Sequence, residues 1–146
     1  MYIQILNGPN LNKVGVREPS VYGTVSMDDI INGLTERYAS VIQLRYSQYN
    51  GEGGIIDVLQ ACSDDPECRG VVLNAGAYSH TSLAVADAVR GMSIPVVEVH
   101  MSNVYSRDPI RSQAVVAPAC KGMICGFGAD SYRLAVEALM ALKVNK

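Results

Sequence analysis

Short apolar runs that stop on a polar residue constrain this chain most: YIQILN ends on Asn7, VVLN on Asn74 and VVEVH on His100. Runs that are apolar on both alternations read as strands covered on both faces, which is the habit of parallel sheets. Parallel neighbours need crossovers, normally helices. The spacing predicts strands over Tyr2–Leu6, Val41–Ser47, Gly70–Leu73, Ile94–Val99 and Met123–Cys125, and helices over Ser26–Tyr38, Ile55–Ser63, Thr81–Arg90 and Ser131–Leu142. Ser26 is the expected N-cap of the first helix, with Asp28 and Asp29 in its first turn, and Gly91 the expected C′ residue of the third. Such an alternation predicts a flavodoxin-like α/β fold, a five-stranded parallel sheet of order 2-1-3-4-5 with helices on both faces, or else a Rossmann half.

In that order the first, third and fourth strands are neighbours, and ligands bind beyond the carboxyl ends of open parallel sheets. Asn7, Asn74 and His100 then share one rim. Asn and His also begin ordinary turns, but three such strand ends together favour a site.

Bulk properties narrow the function. A chain of 146 residues, 49% of them hydrophobic, fits a single catalytic domain over residues 1–146 with a core that needs no staples. The net charge is -2 and the basic residues are scattered, so the footprint of a nucleic-acid binder is missing. No apolar run is long enough to span a bilayer, and MYIQILNG lacks the charged start and cleavage site of a signal peptide. A cytoplasmic location is expected. The cysteines, Cys62, Cys68, Cys120 and Cys125, match no zinc or redox spacing and read as free thiols. His80 and His100 carry no ligand pattern around them, so no metal is expected.

Asn7 to Gly23, NGPNLNKVGVREPSVYG, has neither a helical nor an alternating period. A long irregular loop in a compact chain is usually functional or disordered. Its glycines fit neither GxxxxGK[ST] nor GxGxxG, and the GFGAD that follows the last strand is too short for the latter. A small polar substrate without a phosphate fits better.

Candidate chemistry lies at three places. Glu98 and His100 occupy alternate positions of one strand and point to the same face. A carboxylate there can fix the imidazole tautomer and favour its protonated form, which suits a general acid, although a structural pair has the same look. NAGAYSHTS precedes the third helix and brings hydroxyls and His80 to its N-terminus, where Ser79, Thr81 and Ser82 also read as plain caps. Asp87 lies about 10 Å further along that helix axis, out of reach of the same pocket within its own chain. MSNVYSRDPIR, after the fourth strand, is a second aperiodic loop and carries Arg107 and Arg111.

ILNGPNLN, GVREP, YG, QYNGEGGIIDVL, NAGAYSHTS, VVEVHMSN, RDPIR and GMICGFG, in this order and over most of the chain, resemble the type II 3-dehydroquinate dehydratases. The resemblance implies a cofactor-free hydro-lyase that removes water in trans from 3-dehydroquinate to give 3-dehydroshikimate through an enolate. It implies Tyr22 as base, Arg17 as the residue that lowers its pKa, and His100 as the acid that protonates the departing hydroxyl. By the same likeness Asn10 positions a water on the enolate, Asn74 holds the substrate near the leaving hydroxyl, and Glu98 supports His100. The backbone at Met101 and Ser102 would receive the carboxylate, and His80 with Arg111 the ring hydroxyls. Asp87 resembles a residue given to a neighbouring subunit, and the implied assembly is a homododecamer, a tetramer of trimers.

The assigned base is physically reasonable. A free tyrosine has a pKa near 10, so about one in a thousand is ionised at pH 7, and moving it down by about two pH units needs about 2.7 kcal/mol. A guanidinium about 4 Å away supplies about 4 kcal/mol at an effective dielectric near 20. The loop is accordingly expected to be poorly ordered without ligand and to close as a lid, with Gly15 and Gly23 as hinges. Lys13, Tyr49, Ala75, Ile110 and Ala114 depart from the family pattern, and none has an assigned chemical role. A Schiff-base route is disfavoured because Lys13, Lys121, Lys143 and Lys146 fall in loops or at the terminus, where nothing desolvates them. A flavin-binding module or an assembly subunit on the same fold remain the alternatives.

Overall fold

The computed structural model describes residues 1–16, 20 and 25–143. Strands β1 (Tyr2–Asn7), β2 (Gln43–Gln48), β3 (Cys68–Asn74), β4 (Val96–His100) and β5 (Gly122–Cys125) form one parallel sheet. Its order is β2-β1-β3-β4-β5, the flavodoxin-like arrangement. Helices α1 (Met27–Tyr38), α2 (Glu52–Asp64), α3 (Leu83–Arg90) and α4 (Asp130–Ala141) cover its two faces.

Strand alternation sorts the core into two layers. Ile3, Ile5, Val72, Val97 and Val99 point to one face and pack with the apolar stripes of α1 and α4. Tyr2, Leu6, Val71, Leu73 and Val96 point to the other and meet α2 and α3. The α1 stripe is Met27, Ile30, Ile31, Leu34 and Tyr38, and that of α4 is Tyr132, Ala135, Val136 and Leu139, spacings of three and four that keep one side of each helix inward. Each fully buried Leu or Ile contributes about 1.5–3 kcal/mol relative to exposure.

Helix boundaries follow the caps more closely than the apolar period. Ser26 accepts a bond from Asp29 N at 3.1 Å, as expected of an N-cap. Ser82 does the same for Val85 N at 3.0 Å, so α3 starts at Leu83 and not Thr81, and Gly76–His80 before it is a 3-10 turn. Helix α2 begins at Glu52, ahead of the expected Ile55, because its first turn is Glu-Gly-Gly and carries no apolar signal. Gly91 does not act as a left-handed C′ residue: its φ is -79°, and α3 ends with Gly91 N bonded to Asp87 O at 3.1 Å. Strand β2 starts late because Val41 N and Ile42 N both bond to Tyr38 O and close α1 with a turn. All four cysteines are free, with Cys62 and Cys68 buried. Among the described residues no helix is long and apolar enough to cross a membrane.

Candidate active site

The carboxyl ends of β1, β3 and β4 meet as the strand order requires. Asn7 and Asn74 are register partners, and Leu73 pairs with Glu98 on the next strand. Beyond them lies a cleft of about 480 Å³ lined by Asn10, Asn74, His80, His100, Met101, Ser102 and Arg111 among others. Seven of the residues picked out by sequence thus come together. Asn7 does not: it is fully buried below the rim, where Tyr132 donates to its Oδ1 at 2.8 Å. The strand-end pattern placed it on the rim because the partner lies far away in sequence.

The two loops over β1 and β3 interlock. Gly8 N bonds to Asn74 O at 2.7 Å, and a Cβ on Gly8 would lie 2.6 Å from Ala75 O. Gly76 has φ +59°, and a Cβ there would approach Pro9 O at 3.2 Å. Neither position has room for a side chain. Next along, Asn10 adopts φ 68°, which Asn tolerates better than most residues, and its N–H donates to Asn50 Oδ1 at 3.1 Å. Buried Leu11 anchors the following 3-10 turn, Leu11–Lys13. Non-glycine residues in this region of φ often mark functional loops.

On the opposite wall, His100 Nε2 lies 3.1 Å from Glu98 Oε2, both side chains on the face of β4 that alternation assigned them. Glu98 is 2% exposed and His100 7%. A carboxylate can only accept here, so Nε2 carries the proton and Nδ1 is the nitrogen left for chemistry. His80 Nδ1 donates to the Gln113 carbonyl at 2.7 Å, which fixes its tautomer in the same way. The two rings stack, centroids 5.8 Å apart. Backbone bonds from Gly126 N to His100 O and from Gly128 N to Met101 O pin the end of β4 to the segment after β5. Arg107 Nη1 reaches Ser102 Oγ at 3.4 Å.

Behind the histidines lies a smaller cavity of about 210 Å³, bounded by Ser79, Glu98, Ala114 and Met123. Glu98 Oε1, Ser79 Oγ and Arg111 Nε are buried without a hydrogen-bond partner among the described residues. Cys120 is held well above an ordinary thiol, up to about 12, by burial and then by the Glu98 charge. No group of three His, Cys, Asp or Glu side chains among the described residues can hold a metal ion.

Asp87 is apart from the cleft. It sits on α3 with its side chain 76% exposed and pairs with Arg90 at 3.1 Å. Arg17 and Tyr22 lie outside the described residues, as do the hinge at Gly23 and the other residues of the expected lid at 18, 19 and 21. Two residues received no role in the sequence reading. Arg107 lines the cleft beside Arg111 but had no role assigned. Tyr132 reads as an ordinary member of the α4 stripe, and only its hydroxyl, which a buried tyrosine must satisfy, gave any hint.

A flavodoxin-like sheet with paired, tautomer-fixed imidazoles and buried carboxylate at its carboxyl rim defines an acid–base α/β protein with a cleft for a small polar ligand. This chain belongs to the class II dehydroquinase family, whose model matches residues 1–140. It is 46% identical to the 3-dehydroquinate dehydratase of Pelodictyon phaeoclathratiforme over 142 residues, 97% of this chain and 93% of the relative. It is also 46% identical to that of Clostridium beijerinckii over 147 residues, 100% of both chains. The crystal structure of type II dehydroquinase from Butyrivibrio crossotus superposes with a TM-score of 0.93 at 39% identity, over 97% of this chain and 98% of that one.

Proposed function

We propose that this chain, as a single catalytic domain, removes water from 3-dehydroquinate to give 3-dehydroshikimate, by trans-elimination through an enolate and without a cofactor. The observation that carries the reading is the Glu98–His100 pair, opening on a cleft shared with Asn10, Asn74, His80 and Arg111 in a member of this family.

Tyr22, as phenolate beside Arg17, takes the C2 proton. The electron pair moves onto the ketone oxygen, where a water held by Asn10 stabilises the enolate. Collapse of the enolate expels the C1 hydroxyl, and His100 supplies its proton from Nδ1 while Glu98 holds Nε2 in place. Asn74 contacts the substrate near that hydroxyl. Backbone N–H groups at Met101 and Ser102 receive the carboxylate, and His80 with Arg111 binds the ring hydroxyls. Asp87, exposed and apart from its own cleft, serves a neighbouring subunit in a homododecamer, a tetramer of trimers, and the enzyme works in the cytoplasm.

The test is direct. Purified protein mixed with 3-dehydroquinate gives a rise in ultraviolet absorbance from the conjugated enone, and no rise at micromolar enzyme defeats the reading. Tyr22→Phe keeps substrate affinity and loses nearly all kcat. Full activity in that variant would remove Tyr22 from the role of base.

A further inference from the structure

A buried chain of hydrogen bonds runs beneath the cleft, and a backbone donor at one end orients it. Gly76 N–H can only donate, and it meets the Asn74 carboxamide at 3.2 Å, so the atom facing it is Oδ1. Nδ2 of Asn74 therefore faces the Tyr132 hydroxyl, at 2.8 Å. The hydroxyl oxygen accepts that bond, and its own proton goes to Asn7 Oδ1, also at 2.8 Å. Asn7 Nδ2 is then left to donate toward Tyr46 at 3.4 Å. Tyr132 and Asn7 are fully buried and Asn74 is 3% exposed, so water does not compete for these bonds.

Asn74 also lines the cleft. Of its two Nδ2 protons one is committed to Tyr132, and no described residue engages the other. We propose that Tyr132 is a positioning residue that locks the Asn74 carboxamide with its N–H toward the cleft, so that Asn74 acts as a donor and selects an oxygen acceptor on the ligand. Without the hydroxyl, only the 3.2 Å bond from Gly76 N still opposes rotation of the amide by half a turn, a change that presents Oδ1 instead, leaves its shape the same and reverses its polarity. This rests on the elimination reading above. There the oxygen departing from C1 gains negative charge as its bond to carbon lengthens, and an N–H fixed on it helps the transition state more than the ground state.

Steady-state kinetics of the full chain test the proposal through Tyr132→Phe, Asn74→Ala and their combination. Tyr132→Phe should lower kcat/KM about tenfold, mostly in kcat, and should cost nothing further in the Asn74→Ala background, since coupled residues are non-additive. Asn74→Asp keeps the size, lets the Tyr132 hydroxyl turn from Asn7 to donate to the new carboxylate, and offers only an acceptor to the cleft. It should lose about a hundredfold in kcat/KM, and it gives an answer even where Tyr132→Phe folds poorly. Native kcat/KM in Tyr132→Phe or in Asn74→Asp, or losses that simply add in the double variant, overturn the assignment while the native chain remains active. Absence of turnover by the native chain overturns both this and the elimination reading.

Discussion

His80 and His100 stack with their planes 21° from parallel, yet different oxygens hold them from behind: the neutral carbonyl of Gln113 for His80 and the carboxylate of Glu98 for His100. On the proposed mechanism His100, backed by a carboxylate, is the proton donor, and His80 is an oriented wall with a hydrogen-bonding nitrogen. The two rings therefore separate in their kinetic effects. His100→Ala should lose most of kcat, and His80→Ala should mainly raise KM, by about tenfold, the loss of one good hydrogen bond. Equal effects on kcat would contradict the division.

Glu98→Gln preserves size and burial but removes the charge that holds the His100 proton. A positioned general acid contributes about a hundredfold to ten-thousandfold, and we expect a fall in kcat near the lower end with little change in KM. Stopped assays of the pure variant, with a thermal melt to verify folding, measure both. Unaltered kcat would make the pair a structural one.

Gly8→Ala places a methyl group 2.6 Å from Ala75 O, a backbone atom that cannot swing aside. Overpacking of this kind costs about 1–3 kcal/mol. Urea unfolding should show the loss, and kcat/KM should fall with it, because the displaced loops carry Asn10 and Asn74.

Ser82 caps α3 through Val85 N and also donates to Glu52 Oε2, joining α3 to the first turn of α2. Ser82→Ala removes both bonds. We expect a loss of about 1–2 kcal/mol, at the upper end of the range for an N-cap. A loss below about 0.5 kcal/mol in chemical denaturation would mean the cap contributes nothing beyond propensity.

Cys120 gives a pH dependence. Its folded pKa is raised from 9.0 to about 12, so its contribution to stability is fully present below pH 9.0 and is lost as pH rises toward 12. Tyr38 and Tyr46, both pushed up mainly by burial, add to the same alkaline loss. Between pH 8 and 11 the stability of Cys120→Ala should fall less steeply than that of the native chain. Parallel curves from denaturant titrations would show that the thiol has the same pKa in the folded and unfolded states.

The parallel sheet was legible because strand-like and helix-like segments alternate along the chain and Gly70–Leu73 is apolar on both alternations. The Glu98–His100 pair was legible because alternation alone puts both on one face. Other features depend on partners distant in sequence. Nothing near Asn7 tells that Tyr132 captures its side chain, and nothing in GEGG shows that a helix has already started at Glu52. Gly91 looks like a helix stop and is one, although the backbone ends there in a right-handed turn. Tyr49, a departure from the family pattern, is 43% exposed and lies over Gly54, where any Cβ would meet its ring.

The interlock of Gly8 and Pro9 with Ala75 and Gly76 bears on how such a site can change over evolutionary time. Positions in mutual contact at backbone level cannot drift singly, so this half of the rim should vary only as a set or stay frozen. The segment from Tyr105 to Ser112 has no glycine packed in this way, and Ile110 on it is 57% exposed. New ligand preference would arise from that side, with the interlocked half serving as the inherited constant.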